Sequence, residues 1–190
     1  MKSDRISDTW VAFPATPFLI GFSDPFPAFT QSFFALTGMC FIQAMPMIWR
    51  VLYTMDNIIE QEGIEIGMSE LAELYNLVSH GSHRFLFKHN PGAPHPILKT
   101  TKNDTHWKNR FFFVRRDSIP DGKYLPKKWT THAISVSHLL ESPATKERIA
   151  AFWRLDPAVR TFQAKTKDSE EVSSGSFTMS SKYLNTYMNK

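Results

Sequence analysis

The stretch Ala44-Met45-Pro46-Met47-Ile48-Trp49-Arg50 decides the interpretation of the fold, because it opens a long apolar helix. Pro46 suits the first helical position, since its fixed φ matches the helix and its missing N–H would be unpaired there. Gly63 suits the end of the helix, where a left-handed residue is needed. We therefore predict a helix over 46–63 with Trp49 anchored in the core. Its apolar face recurs every three or four residues, at Ile48, Leu52, Met55 and Ile59.

The segments on either side of this helix have the same helical period. Upstream, Asp24 is a candidate cap, Gly38 is a candidate stop, and the apolar face is formed by Phe26, Phe29, Phe33 and Leu36. Downstream, Ser69 is a candidate cap, Gly81 is a candidate stop, and the apolar face is formed by Leu71, Leu74, Tyr75 and Val78. The sequence thus predicts three helices in the first half of the chain.

The spacing of apolar residues changes after residue 83 from a helical pattern to an alternating one. Arg84-Phe85-Leu86-Phe87-Lys88 predicts a short strand with one apolar face, and Arg110-Phe111-Phe112-Phe113-Val114-Arg115 predicts a second strand buried on both faces. We expect these two strands to pair antiparallel across the long loop between them. Residues 147–155 predict a last amphipathic helix, whose inward residues are Ile149, Phe152 and Trp153.

These elements predict an α+β fold, in which a helical layer accompanies a small antiparallel sheet. The layer consists of three N-terminal helices and one C-terminal helix, and the domain spans residues 24–162. Residues 1–23 are interpreted as an extended N-terminal arm that packs on the domain. Residues 163–190, which are rich in Ser, Thr and Lys, are interpreted as a disordered polar tail.

The composition limits the possible compartments and partners. Hydrophobic residues make up 42% of the 190 residues and include sixteen Phe, which is enough for a real core. The single cysteine, Cys40, excludes an intramolecular disulfide and a cysteine-based zinc knuckle, and it fits the cytosol or the nucleus. Pro14 and Pro17 interrupt the apolar stretch near the start, which argues against a signal peptide or a membrane span. We expect an intracellular protein without a membrane partner.

No pattern in the chain predicts catalytic chemistry. The spacing of the histidines drifts through a loop, so we interpret them as solvated or capping residues rather than metal ligands: His80, His83, His89 and His95. Nothing groups the carboxylates that a metal-dependent nuclease would need: Asp24, Asp56, Glu60, Asp104 and Asp117. No nucleophile elbow and no phosphate-binding loop is present. We therefore predict no enzyme activity, no cofactor, no metal and no small-molecule substrate.

The distribution of charge is more informative than the net charge of +4. Between residues 51 and 83 there are six acidic residues and no Lys or Arg. Between residues 99 and 128 there are three acidic residues and nine basic ones: Lys99, Lys102, Lys108, Arg110, Arg115, Arg116, Lys123, Lys127 and Lys128. An acidic helical part is therefore followed by a basic part that contains a strand.

Three interpretations of this asymmetry remain open. In the first, the basic segment binds nucleic acid through phosphates and through base stacking on the interleaved Trp107, Phe111 and Trp129. In the second, the two parts are complementary and steer self-association. In the third, the charges solvate outer faces and the aromatic residues belong to the core.

Two groups of motifs carry a family resemblance, which covers residues 25–129. The first comprises Pro25-Phe26-Pro27-Ala28-Phe29 and Met45-Pro46-Met47-Ile48-Trp49-Arg50-Val51-Leu52, and it continues through Met68-Ser69-Glu70-Leu71-Ala72-Glu73-Leu74-Tyr75 and Phe85-Leu86-Phe87. The second is His106-Trp107-Lys108-Asn109-Arg110-Phe111-Phe112-Phe113-Val114, with Trp129 beyond it. Together they resemble the amino-terminal part of plant Gypsy-type retrotransposon proteins. The motif residues expected in the core are Pro46, Trp49, Arg50, Trp107, Phe111, Phe112 and Phe113.

The resemblance implies a non-enzymatic, transposon-derived, Gag-like structural module, which associates with itself as a homo-oligomer and binds RNA or DNA weakly. The alternative is a nucleic-acid-binding protein proper that uses residues 99–128, and a metal-dependent nuclease is less favoured. The chain departs from a Gag protein in having no Cys-x2-Cys-x4-His-x4-Cys knuckle. No catalytic residue can be assigned from the resemblance.

Overall fold

The computed structural model describes residues 10–23, 25–81, 83–90, 93–100, 107, 110–119 and 144–164. In chain order, its helices and strands are β1 (Trp10–Pro14), α1 (Thr16–Ile20), α2 (Ala28–Thr37), α3 (Pro46–Glu62), α4 (Met68–Leu74), β2 (Tyr75–Ser79), β3 (Phe85–His89), β4 (Phe111–Arg115) and α5 (Ala144–Arg154). The predicted α+β class is confirmed. The strands within these ranges form two small antiparallel sheets, β1–β4 and β2–β3.

Helix α3 lies at the centre of the fold. It begins at Pro46 and is followed by Gly63 with a left-handed φ of 64°, as the sequence predicts. Its first turns are buried almost all round rather than on one face, because α1, α2 and β3 all contact it. A helix surrounded in this way needs apolar residues on every side, which the stretch from Ile48 to Met55 supplies almost without interruption.

The side chain of Trp49 is completely buried in a cluster of phenylalanine rings. Its ring centroid lies 4.8 Å from that of Phe34, 5.5 Å from that of Phe26 and 6.0 Å from those of Phe22 and Phe41. These separations lie within the range in which aromatic pairs attract each other beyond their area burial. The prediction that Trp49 anchors the core is confirmed.

Residues 10–23 contribute a strand, a helix and core side chains, whereas the sequence predicts an extended arm that packs on a domain beginning at residue 24. Strand β1 pairs with β4, and Val11, Phe13 and Phe22 belong to the main hydrophobic cluster. The two prolines are compatible with this structure. Pro14 ends the strand, and Pro17 lies in the first turn of α1, where an N–H group would have no partner in the helix.

The third predicted helix is wrong in its second half. Helix α4 ends at Leu74, and Tyr75–Ser79 is strand β2, which pairs with β3 so that Val78 lies opposite Leu86. The spacing of Tyr75 and Val78 is helical, because residues three apart lie on opposite faces of a strand, and the hydrogen bonds with β3 override this local preference. Strand β3 itself is confirmed at Phe85–His89.

The predicted pairing of the two strands is also wrong. The strand at Phe111–Arg115 pairs with β1, and β3 pairs with β2. A short hairpin connects β2 to β3, so their pairing closes a much shorter loop than the one predicted. Gly81 and His83 in this hairpin have positive φ values of 44° and 58°.

The helix ends show smaller differences from prediction. Helix α2 begins at Ala28, and its proposed cap Asp24 lies outside the described residues. Helix α4 is capped at Gly67 rather than Ser69, because a carboxylate oxygen of Glu70 accepts a hydrogen bond of 2.7 Å from the Gly67 N–H. Of the predicted tail, only residues 163 and 164 lie among the described residues.

Helix α5 is confirmed. Ion pairs connect it to α4 and to the segment before α4. It begins at Ala144, before the predicted start, and buries Phe152 completely. The Arg148 guanidinium lies 2.6 Å from a carboxylate oxygen of Glu65 and 3.5 Å from one of the buried Glu70. These carboxylates raise the pKa of Arg148 above its usual value.

Across the described ranges, no helix combines the length and the apolar character needed to cross a membrane.

Replacing Trp49 with Ala should lower the free energy of unfolding by about 3–5 kcal/mol, because it removes the ring at the centre of the cluster. Trp49→Phe should cost less, since it keeps an aromatic ring and the indole N–H has no hydrogen-bond partner among the described residues. Urea denaturation of both variants measures these losses. A Trp49→Ala variant as stable as the original chain would contradict this placement of the core.

Strand β1 allows a matched test of the first 23 residues. Phe13 is buried and Trp10 is exposed on the same strand. Phe13→Ala should lower the free energy of unfolding by about 3–5 kcal/mol, and Trp10→Ala should change it little. Equal, small losses in thermal or urea unfolding would show that this segment does not contribute to the core.

Candidate nucleic-acid interface

The β1–β4 sheet has two chemically different faces. Its antiparallel register places Trp10 opposite Arg115, Ala12 opposite Phe113 and Pro14 opposite Phe111. Because side chains alternate between the faces of a strand, these six residues share one face. The residues between them occupy the other face: Val11, Phe13, Phe112 and Val114.

The second of these faces packs on the core. The Phe13 ring centroid lies 4.6 Å from that of Phe41 and 5.9 Å from that of Phe112, and the rings of Phe13 and Phe112 are nearly parallel. Val114 is buried beside them. This packing fixes the orientation of the sheet and therefore determines which side chains point away from the core.

Three side chains on the first face are aromatic and exposed, whereas Ala12 and Pro14 of the same face are buried. Trp10 is 44% exposed, Phe111 is 50% exposed and Phe113 is 60% exposed. The rings of Phe111 and Phe113 contact each other edge to face, with centroids 5.6 Å apart. We call these three side chains the outer aromatic face.

The predictions that β4 is buried on both faces and that Phe111 and Phe113 belong to the core are therefore wrong. Strand β4 faces the core on one side only, so its three successive phenylalanines can bury no more than alternate residues. Of the three, Phe112 is partly buried and packs against the core.

Arg115 adds a positive charge to the outer aromatic face. Its guanidinium is exposed and forms two hydrogen bonds with the Asp117 carboxylate, from Nε at 3.1 Å and from a terminal nitrogen at 2.5 Å. Exposed ion pairs of this kind contribute little free energy. A phosphate group can therefore compete with Asp117 for this guanidinium, which matches phosphate geometry well.

The structure brings only some of the nine predicted basic residues to this sheet. Arg110 precedes β4, where its carbonyl accepts a 2.8 Å hydrogen bond from the Ala15 N–H. Lys99 is exposed beside Leu98, which pairs with Thr161 rather than with the sheet. Five of the nine lie outside the described residues: Lys102, Lys108, Lys123, Lys127 and Lys128.

Arg116 follows β4 in the 3-10 turn Arg116–Ser118, and its charge acts on Cys40. Burial raises the pKa of the Cys40 thiol to about 12, although the positive charge of Arg116 opposes this increase. A buried thiol in this state is inert at neutral pH. Arg116 is half-buried, unlike the exposed Arg115.

Trp107, which the sequence offered as a stacking residue, is buried, and the Arg84 guanidinium lies 5.4 Å from the centroid of its ring. Trp129 lies outside the described residues. The other motif residues are structural as well. Pro46 is buried, and the buried Arg50 donates a 3.0 Å hydrogen bond to the carbonyl of Thr100.

Trp10 is the residue of this face that the sequence reasoning missed. The alternation of Trp10-Val11-Ala12-Phe13 would have indicated a strand with Trp10 and Ala12 on one face and Val11 and Phe13 on the other. Its pairing with β4 depends on residues about a hundred positions away, which no local pattern reveals.

The candidate metal and nuclease residues do not converge in the described part of the chain. The rings of His89 and His95 lie 4.0 Å apart, but no group of three or more His, Cys, Asp or Glu side chains there could hold a metal ion. Asp117 pairs with Arg115, whereas Asp56 and Glu60 lie on α3. Asp24 and Asp104 lie outside the described residues.

Comparisons of the chain with models of protein families, with curated proteins and with solved structures find no match.

Proposed function

We propose that this chain is a non-enzymatic module that binds single-stranded RNA or DNA on the outer aromatic face of the β1–β4 sheet. One observation carries the proposal: Trp10, Phe111 and Phe113 are all exposed on one sheet face, and Arg115 shares it. Exposed aromatic side chains are seldom gathered in this way without a partner.

Stacking supplies the physical basis of the proposal. Each base that stacks on an aromatic side chain contributes about 1–3 kcal/mol, and any of the bases can do so. Phe111 and Phe113 are two residues apart on one strand, about 7 Å between attachment points, and neighbouring bases can stack on the outward sides of the two rings. Arg115 at the margin of the face can hold a phosphate of the same strand.

A single strand suits this surface better than a duplex. In a duplex the bases are already stacked on each other, so their flat faces cannot reach a protein side chain. The outer aromatic face belongs to a strand pair rather than to a helix that could enter a major groove. We therefore expect binding that tolerates many sequences and weakens with salt.

The Gag-like self-association implied by the resemblance is a second candidate function. It is favoured by the open edges of the same sheet, since within the described residues β1 and β4 each pair with one strand only. An open strand edge offers unpaired N–H and C=O groups to a second chain. The outer aromatic face lies beside these edges and would add apolar contact.

The stacking proposal predicts that Phe111→Ala and Phe113→Ala each weaken binding of a labelled oligo-uridine by about 1–3 kcal/mol. Fluorescence anisotropy at low salt measures the affinity, and unchanged circular dichroism and Tm confirm that the fold is retained. Leu36→Ala is the matched control, because Leu36 is an exposed apolar residue on α2.

Binding by the original chain that both phenylalanine variants retain would contradict the proposal, as would the absence of binding at low salt. Light scattering over a concentration series distinguishes the second candidate. A mass that grows without nucleic acid, and stops growing in the phenylalanine variants, would assign the outer aromatic face to self-association instead.

Arg115→Gln should reduce the salt dependence of binding. If its guanidinium contacts one phosphate, the slope of log K against log salt should become shallower by about 0.7, the value expected for one contact to a single strand. Asp117→Asn should strengthen binding, because it removes the carboxylate that competes for Arg115. An unchanged slope in Arg115→Gln would exclude Arg115 from the phosphate contacts.

A further inference from the structure

A cleft of about 430 Å³ lies between helix α3 and the segment that joins α1 to α2. Its volume is in the range of small-molecule sites. None of its lining residues belongs to β1 or β4, so it is separate from the outer aromatic face. The lining residues that could contact a ligand are Phe22, Phe29, Tyr53, Asp56, Asn57 and Glu60.

Asp56 is held in a defined position in this cleft. The Thr30 hydroxyl donates a 2.5 Å hydrogen bond to its carboxylate, and the backbone N–H groups of Phe29 and Thr30 also bond to it. These N–H groups belong to the first turn of α2, whose own cap residue, Pro27, provides no side-chain hydrogen bond. Asp56 therefore caps α2 from the neighbouring helix.

Glu60 brings a second carboxylate to the cleft. It follows Asp56 by four residues on α3, so the two carboxylates lie on the same helical face. Within the described residues neither of them forms a salt bridge, and residues 51–83 contain no Lys or Arg. The cleft therefore carries negative charge that no described side chain neutralises.

Burial raises the pKa of Asp56 to about 6, with the charge of Glu60 acting in the same direction and the hydrogen bonds from α2 opposing it. Glu60 is the charged group that acts on Asp56 among the described residues. At pH 7.5 Asp56 is therefore ionised in a partly desolvated place, where its charge is unfavourable. A bound cation would relieve this cost.

The walls of the cleft are aromatic and include the ring of Tyr53, whose hydroxyl is buried. Tyr53 is 4% exposed, and its hydroxyl has no hydrogen-bond partner among the described residues. Buried polar atoms of this kind normally have a partner. The rings of Phe22 and Tyr53 contact each other edge to face at 5.1 Å, and aromatic rings attract cations as well as apolar groups.

We propose that this cleft binds an organic cation, an ammonium or guanidinium group on a short apolar stem. Asp56 and Glu60 face the positive charge, and the rings of Phe22, Phe29 and Tyr53 contact the stem. This chemistry belongs both to free alkyl cations and to the Lys or Arg side chains of a protein segment. An inorganic cation would not use the apolar walls.

Titration of the full chain, followed by backbone amide NMR shifts, tests the proposal. The probes are butylammonium, butylguanidinium, a short capped peptide Ala-Arg-Ala and the neutral analogue butanol. We expect at least one of the cationic probes to bind with a Kd of about 1 mM and to shift the amides of the cleft, and butanol to bind at least about tenfold more weakly. Binding of the peptide alone assigns the site to a protein side chain, and binding of the alkyl cations alone assigns it to a small molecule.

Variants on α3 make the test specific. Asp56→Asn and Glu60→Gln should each weaken binding of the cation at least about fivefold. Glu62→Gln is the matched control, because Glu62 is an exposed carboxylate on the same helix that does not line the cleft. Glu60 is exposed and, among the described residues, forms no hydrogen bond or salt bridge with α2, so Glu60→Gln keeps the test valid if Asp56→Asn disturbs the fold.

The pH dependence provides a further check. Because Asp56 becomes protonated as the pH falls through about 6, the affinity of the original chain should be lower at pH 5 than at pH 7.5. The Asp56→Asn variant should show a smaller change between these two values. Three outcomes would overturn the proposal. The first is equal binding of butanol and the cations, and the second is cation binding that neither Asp56→Asn nor Glu60→Gln weakens. The third is no binding of any cationic probe at millimolar concentration.

Discussion

The burial of Trp49 among phenylalanine rings is the constraint on which the rest of the structure depends. Its neighbours all precede α3 in the chain: Phe22 and Phe26 lie between α1 and α2, Phe34 lies in α2, and Phe41 lies in the turn before α3. Removing so many large rings from water is the main favourable term in folding, and it requires these segments to converge on one helix. Strand β1 belongs to the domain for the same reason, because its Val11 and Phe13 are buried in this core.

The outer aromatic face is a consequence of packing on one side. Once Phe13, Phe112 and Val114 contact the core, the alternation of the strand requires Phe111 and Phe113 to point away from it. Pairing with β1 then adds Trp10 and leaves Arg115 beside it. A run of residues that resembles a core strand in the sequence thus becomes an exposed surface suited to stacking and phosphate contact.

The charge asymmetry of the sequence corresponds to two different surfaces. The acidic part contributes the Asp56 and Glu60 carboxylates of the α3 cleft, and the basic part contributes Arg110 and Arg115 at the ends of β4. One carboxylate of the acidic part has a structural role: the buried Glu70 caps α4 and lies near Arg148 on α5. Complementary charge between copies and binding of separate ligands are both compatible with these positions.

The sequence by itself determined the elements whose signals are local: helix α3 with its proline start and glycine end, helix α5, strand β3 and the anchoring role of Trp49. It also indicated Arg115 and Phe111 as candidates for nucleic-acid contact. Only the tertiary structure decided that Tyr75–Ser79 is a strand, that β4 pairs with β1, and that Trp10 joins the outer aromatic face. Helical and strand periods are read from neighbouring residues, whereas strand pairing and the choice of exposed face depend on contacts between residues far apart in the chain.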